Sequence, residues 1–91
     1  MFTRGKKDGT IRFCFQSPSG AQKVHVAGSF SQWKPLAMRK QTDGAFATNV
    51  TLKPGSYEYK FIVDGQWTVD ADNGAFALNP YGTVNSVAVV K

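Results

Sequence analysis

Tyr57-Glu58-Tyr59-Lys60-Phe61-Ile62-Val63-Asp64-Gly65-Gln66-Trp67 is the stretch on which the fold reading turns. Its aromatics fall on every second residue, so Tyr57, Tyr59 and Phe61 share one face of an extended chain and Lys60 takes the other. Asp64-Gly65 then supplies the chemistry of a tight reversal. The stretch reads as a half-buried antiparallel strand entering a turn.

The same period recurs outward from it. Ile11, Phe13 and Phe15 alternate with Arg12 and Cys14, Val24 and Val26 with His25 and Ala27, and Phe46 with Ala45 and Ala47. Val50 and Leu52 alternate with Asn49 and Thr51, and Val87 and Val89 with Ser86 and Ala88. Between these runs stand Lys7-Asp8-Gly9, Ser17-Pro18-Ser19-Gly20, Thr42-Asp43-Gly44, Lys53-Pro54-Gly55, Asp72-Asn73-Gly74 and Asn79-Pro80-Tyr81-Gly82, each a turn signal. No segment sustains a helical period. Short strands closed by such turns predict an all-β fold, an immunoglobulin-like antiparallel β-sandwich, with a small barrel as the alternative.

Composition sets the outer limits. A chain of 91 residues with 42% hydrophobic and 19% charged content suits one globular domain and not a disordered segment. With no internal repeat, linker or compositional shift, residues 1–91 are expected to form a single module, 1–9 being a flexible N-terminal segment. No apolar run is longer than the four residues of Val87-Ala88-Val89-Val90, and no apolar region follows the basic Arg4-Lys6-Lys7 cluster, so no membrane span or signal peptide is expected. Cys14 is the one cysteine, which excludes an internal disulfide and suits a reducing compartment, with the cytoplasm as the default. Lys and Arg outnumber Asp and Glu by 11 to 6, but outside Arg4-Lys6-Lys7 and Arg39-Lys40 the basic residues stand singly, as on a solvated surface.

A catalytic reading lacks its parts. His25 is the only histidine, with no nucleophile or carboxylate beside it in sequence, and reads as a surface-facing strand residue. Cys14 falls on the strand face opposite the phenylalanines, outside any motif for an activated thiolate. Asp64, Asp70 and Asp72 are close in sequence, as a glycosidase pair or a metal loop would require. Asp70-Ala71-Asp72-Asn73-Gly74 nevertheless brings its glycine one position too early for a calcium loop, and Asp64 is explained as the turn residue before Gly65. No zinc spacing and no phosphate-cradling glycine motif occurs, so neither metal nor cofactor is expected.

Two tryptophans carry the functional reading. In a domain this small an indole is ordinarily core. Here Phe13, Phe15, Phe46, Tyr59 and Phe61 already supply one, while Trp33 follows the small, polar Gly28-Ser29-Phe30-Ser31-Gln32 and Trp67 follows a turn. Both are expected to be partly exposed. A bare indole is a flat apolar plate that matches the C–H face of a glucopyranose ring, and burying each such contact contributes roughly 1 to 2 kcal/mol. Two plates make a weak docking site. Hydroxyls around the sugar need partners, for which Lys60, Thr83 and Asn85 are candidates.

At these residues the chain resembles the glycogen- and starch-binding modules of AMP-activated protein kinase β subunits and of glycogen branching and debranching enzymes. The resemblance runs through Val26-Ala27-Gly28-Ser29-Phe30-Ser31-Gln32-Trp33, Leu36 and Met38, Asp43-Gly44-Ala45-Phe46, Pro54-Gly55 to Trp67, and Asn79 to Ser86. It implies the immunoglobulin-like fold, Trp33 and Trp67 as stacking platforms, Lys60 reaching sugar hydroxyls, and a loop from Tyr81 to Asn85 closing over the glucan with Thr83 and Asn85 hydrogen-bonding. Two residues depart from it. Tyr81 stands where kinase-type modules carry a leucine, so a ring can stack there, and Ala71 stands where relatives often have proline.

The expected function is thus non-catalytic binding of α-1,4-linked glucan: glycogen, starch or malto-oligosaccharide. A protein-interaction or regulatory module for a kinase-like complex or glucan-processing enzyme is the second class. Single-stranded nucleic-acid binding is the third, since basic residues among exposed aromatics also stack bases. A monomer without membrane attachment is expected.

Overall fold

The computed structural model describes residues 2–5, 7, 9–16, 20–71 and 73–91. The Ser17-Pro18-Ser19 part of one turn, together with Lys6, Asp8 and Asp72, lies outside the described residues. Strands run in the order β1 (Phe2–Arg4), β2 (Thr10–Phe15), β3 (Val24–Gly28), β4 (Leu36–Ala37), β5 (Arg39–Lys40) and β6 (Phe46–Thr51). They continue as β7 (Gly55–Val63), β8 (Gln66–Thr68), β9 (Phe76–Leu78) and β10 (Val84–Val90), with one 3-10 turn, Ser29–Ser31, after β3. Two antiparallel sheets pack face to face, one ordered β1-β2-β6-β5 and the other β4-β3-β7-β10-β9 with β8 paired to β7. The chain is an all-β sandwich.

Register explains the core. Val26 pairs with Phe61 and Ser86 with Tyr59, and antiparallel partners point to the same face. Tyr59 and Phe61 therefore enter the sandwich from the middle of the larger sheet, where both are fully buried. From the smaller sheet Phe13 meets Tyr59 edge to face at 5.0 Å between centroids, and Phe15 packs on Phe61 at 5.2 Å. Burial of each such ring contributes about 2 kcal/mol. Cys14 and Arg12 stand on the opposite face of β2, half-buried.

The structure departs from a simple reading of the sequence in two places. The segment expected to be a flexible tail contains β1, whose Phe2 pairs with Phe13 and sets its ring 6.2 Å from that of Tyr59. One aromatic among polar neighbours is enough to anchor three residues. In β10 a valine-inward alternation is reversed: Ser86 and Ala88 are fully buried, while Val89 is 54% exposed. The tyrosines opposite explain this, because Tyr59 and Tyr57 are paired with Ser86 and Ala88 and fill the space that a valine would need.

Parity also decides what faces outward. On β7 the residues between the aromatics, Glu58, Lys60 and Ile62, lie on the outer face of the larger sheet, Lys60 beside Ala27 and Ile62 beside Trp67. Among the described residues no helix is long and apolar enough to cross a membrane.

Candidate functional site

The outer face of the larger sheet is where the loops converge. Trp33 reaches it from the end of β3 on a distorted connection, with Gln32 and Trp33 both in the left-handed region at φ 54° and 60°. Non-glycine residues avoid this region at a cost of about 1–2 kcal/mol each, so the surroundings must hold them there. They do so through Trp33 N, which donates to Gly28 O at 2.9 Å, and Glu58 N, which donates to Ser29 Oγ at 3.2 Å. The approach needs a glycine at position 28. A Cβ there would lie 2.5 Å from Glu58 O and from the Phe30 ring.

Trp67 arrives by a different route. Asp64 and Gly65 have φ 48° and 87° and close a two-residue hairpin between Val63 and Gln66, the geometry that Asp-Gly favours. The Asp64 carboxylate has a second task, accepting from Gln22 N at 3.1 Å and Lys23 N at 2.8 Å, which ties the turn to the loop before β3. It is no partner of Asp70, which is buried and accepts from Tyr59 Oη at 2.6 Å. Asn73 Nδ2 donates to the same phenol at 3.0 Å and to Val87 O at 2.8 Å. Burial first, and the bond to Asp70 second, push the Tyr59 phenol far above its ordinary range. The two carboxylates thus serve structure in separate places, and Asp72 lies outside the described residues. His25 stands half-buried on the outer face of β3, paired with Ile62.

The third arm is the 79–83 turn, organised by one side chain. Asn79 Oδ1 accepts from Tyr81 N at 3.0 Å and Thr83 N at 3.2 Å, while its Nδ2 donates to Thr83 Oγ1 at 2.6 Å and Asn85 Oδ1 at 3.1 Å. Lys60 Nζ also donates to Thr83 Oγ1, at 3.1 Å, and Asn85 Nδ2 donates to Glu58 Oε1 at 3.0 Å. Tyr81 is left 90% exposed at the tip.

Together the arms frame an open hollow of about 430 Å³. Its lining contains all six residues singled out in the sequence, Trp33, Lys60, Trp67, Tyr81, Thr83 and Asn85, and adds Asn79 and Pro80. Trp33 is 37% and Trp67 53% exposed, their centroids 6.4 Å apart and their planes inclined by 51°. The walls are aromatic and the floor is polar. In the sequence Asn79 is legible as a turn residue only, and Glu58 carries no signal. An asparagine three residues before glycine does signal a side-chain-capped turn, whereas nothing in the sequence points to Glu58.

An aromatic-walled hollow with a hydrogen-bonding floor, on the face of a β-sandwich, defines a carbohydrate-binding type of module. The profile of the family described as "Glycogen recognition site of AMP-activated protein kinase" matches residues 11–91, and the chain belongs to that family of non-catalytic binding domains. It is 35% identical over 77 residues to 5'-AMP-activated protein kinase subunit beta-1 of Sus scrofa, covering 85% of this chain and 62% of that one. It is 48% identical over 54 residues to Protein PTST homolog 2, chloroplastic, of Arabidopsis thaliana, covering 58% of this chain and 10% of the plant protein. The chain thus spans less than two thirds of either relative. In fold it is similar to maltogenic amylase from S. marinus, with a TM-score of 0.76 at 24% identity over 90% of this chain and 13% of the amylase.

Proposed function

We propose that the domain docks onto α-1,4-linked glucan by stacking glucose rings on Trp33 and Trp67. The observation that carries this reading is the pair of bare indoles inclined by 51° over a polar floor. Plates set at an angle suit a chain that turns between successive residues, as α-1,4-linked glucose does; a flat, straight polymer would meet only one of them squarely. Tyr81 adds a third ring at the rim, and Lys60 and Thr83 present polar hydrogens to sugar oxygens. Asn85 is only 6% exposed and already bonded to Asn79 and Glu58, so it acts from beneath the sugar.

The affinity expected is modest, since each ring contributes roughly 1 to 2 kcal/mol from burial. Native electrophoresis through gels containing amylose or glycogen tests it. The wild-type protein is expected to be retarded and the Trp33→Ala, Trp67→Ala double variant to run freely; equal mobility of the two would sink the reading. Raising the salt concentration should leave the retardation unchanged, which separates a neutral polysaccharide from nucleic acid.

The kinase-subunit relative favours a second role for the same surface, bringing an attached or associated enzyme to glucan. Co-sedimentation of such a partner with glycogen should then vanish in the double variant. A reducing compartment, with the cytoplasm as default, and a monomeric state complete the proposal.

A further inference from the structure

Five side chains form one hydrogen-bonded chain: Lys60, Thr83, Asn79 and Asn85, which line the hollow, and Glu58, which lies outside its lining. Its two ends have fixed polarity, because an ammonium group can only donate and a carboxylate can only accept. Everything between them is thereby oriented. Two backbone N–H groups, of Tyr81 and Thr83, point at one side-chain atom of Asn79, so that atom is the oxygen and its other terminus is the donor. From the opposite end, Glu58 requires Asn85 to present its nitrogen, which leaves the Asn85 oxygen facing Asn79. The two assignments agree.

Thr83 is where this order reaches the ligand space. Its hydroxyl oxygen receives one donor from Lys60 and another from Asn79, which occupies both lone pairs. The hydroxyl proton is left for an acceptor in the hollow. Lys60, bonded to Thr83, has further ammonium protons to give on the same floor.

We propose that Asn79 and Glu58 are positioning residues that polarise the site, so that Thr83 and Lys60 meet a ligand as donors. The ligand is then selected through lone pairs, those of hydroxyl, ring and glycosidic oxygens. This inference rests on the glucan reading above and deepens it.

Asn79→Asp tests it with little change of shape. The aspartate keeps an oxygen for Tyr81 N and Thr83 N, so the turn persists, but it puts an acceptor where a donor stood and draws the Thr83 proton onto itself. Thr83→Val removes that proton altogether. In titrations of tryptophan fluorescence with maltoheptaose, each single variant is expected to bind about tenfold more weakly than wild type. The Asn79→Asp, Thr83→Val double variant should bind no more weakly than Asn79→Asp alone, since both remove the same donor. Glu58→Gln lies off the turn and guards against a folding artefact. It frees the Asn85 amide to reverse, and should shift the Asn85 side-chain amide resonances and weaken binding severalfold.

Unchanged affinity in Asn79→Asp, or losses in the two single variants that multiply in the double, would overturn the polarisation while leaving glucan binding in place. Failure of the wild-type protein to bind any malto-oligosaccharide would overturn the glucan reading, and this selection with it.

Discussion

The two faces of β7 are built from the same nine residues and obey opposite rules. Inward, Tyr59 and Phe61 are fully buried and interlock with Phe13 and Phe15 from the facing sheet. Outward, Lys60 lies on the floor of a hollow whose indole walls remain 37% and 53% exposed. An aromatic on the first face contributes to folding free energy, and one on the second stays exposed, as the proposed stacking on glucan requires. Residue type alone does not separate the two uses; the face of the sheet on which a ring comes to lie does.

Substitution on the two sides should break this symmetry sharply. Phe61→Ala is expected to destabilise the fold by about 3–5 kcal/mol in urea unfolding, with glucan retention lost only because the protein unfolds. Trp67→Ala should change stability by no more than about 1 kcal/mol and sharply weaken retention in the folded protein. Equal stability losses would erase the distinction.

Gly28→Ala probes the border between the faces, since the added methyl meets the backbone of β7 at Glu58 and the ring that precedes Trp33. Overpacking should cost about 1–3 kcal/mol. Retention on glucan should weaken as well, because the Trp33 connection hangs from Gly28 O.

A further effect, confined to the inner face, concerns pH. Tyr59 is held neutral in the fold by burial and by Asp70, whereas in the unfolded chain its phenol ionises near pH 10. The folded group therefore retains its proton where the unfolded one loses it, and stability should be full below about pH 10 and fall as pH rises past it. Tyr59→Phe should flatten that alkaline fall and lower stability near neutrality by about 1–3 kcal/mol, because Asp70 loses a donor. Superimposable pH profiles of wild type and variant would contradict the assignment.

Much of this was legible in the sequence, for definite reasons. Period-two alternation exposes the strands wherever large residues fill the inner face, as in β2 and β7. In β10 it marks the strand without telling which face is inner, since partner tyrosines demand Ser86 and Ala88 inside. The two tryptophans could be separated from the core because enough other aromatics occupied it. Glu58 and Asp70 could not be assigned, since their roles depend on residues 27 and 11 positions away that only the folded register brings close.

The larger sheet ends at β9, a strand of three residues on which Phe76 and Leu78 are 49% and 80% exposed. An open, uncharged margin of this kind invites a neighbouring molecule to add its own strand and so begin aggregation. The Asn79-Pro80 turn limits that hazard: it stops the strand short, and the proline brings no amide hydrogen to extend the ladder. The segment that shapes the rim of the hollow is thus also the stop that shortens the open edge of the sheet.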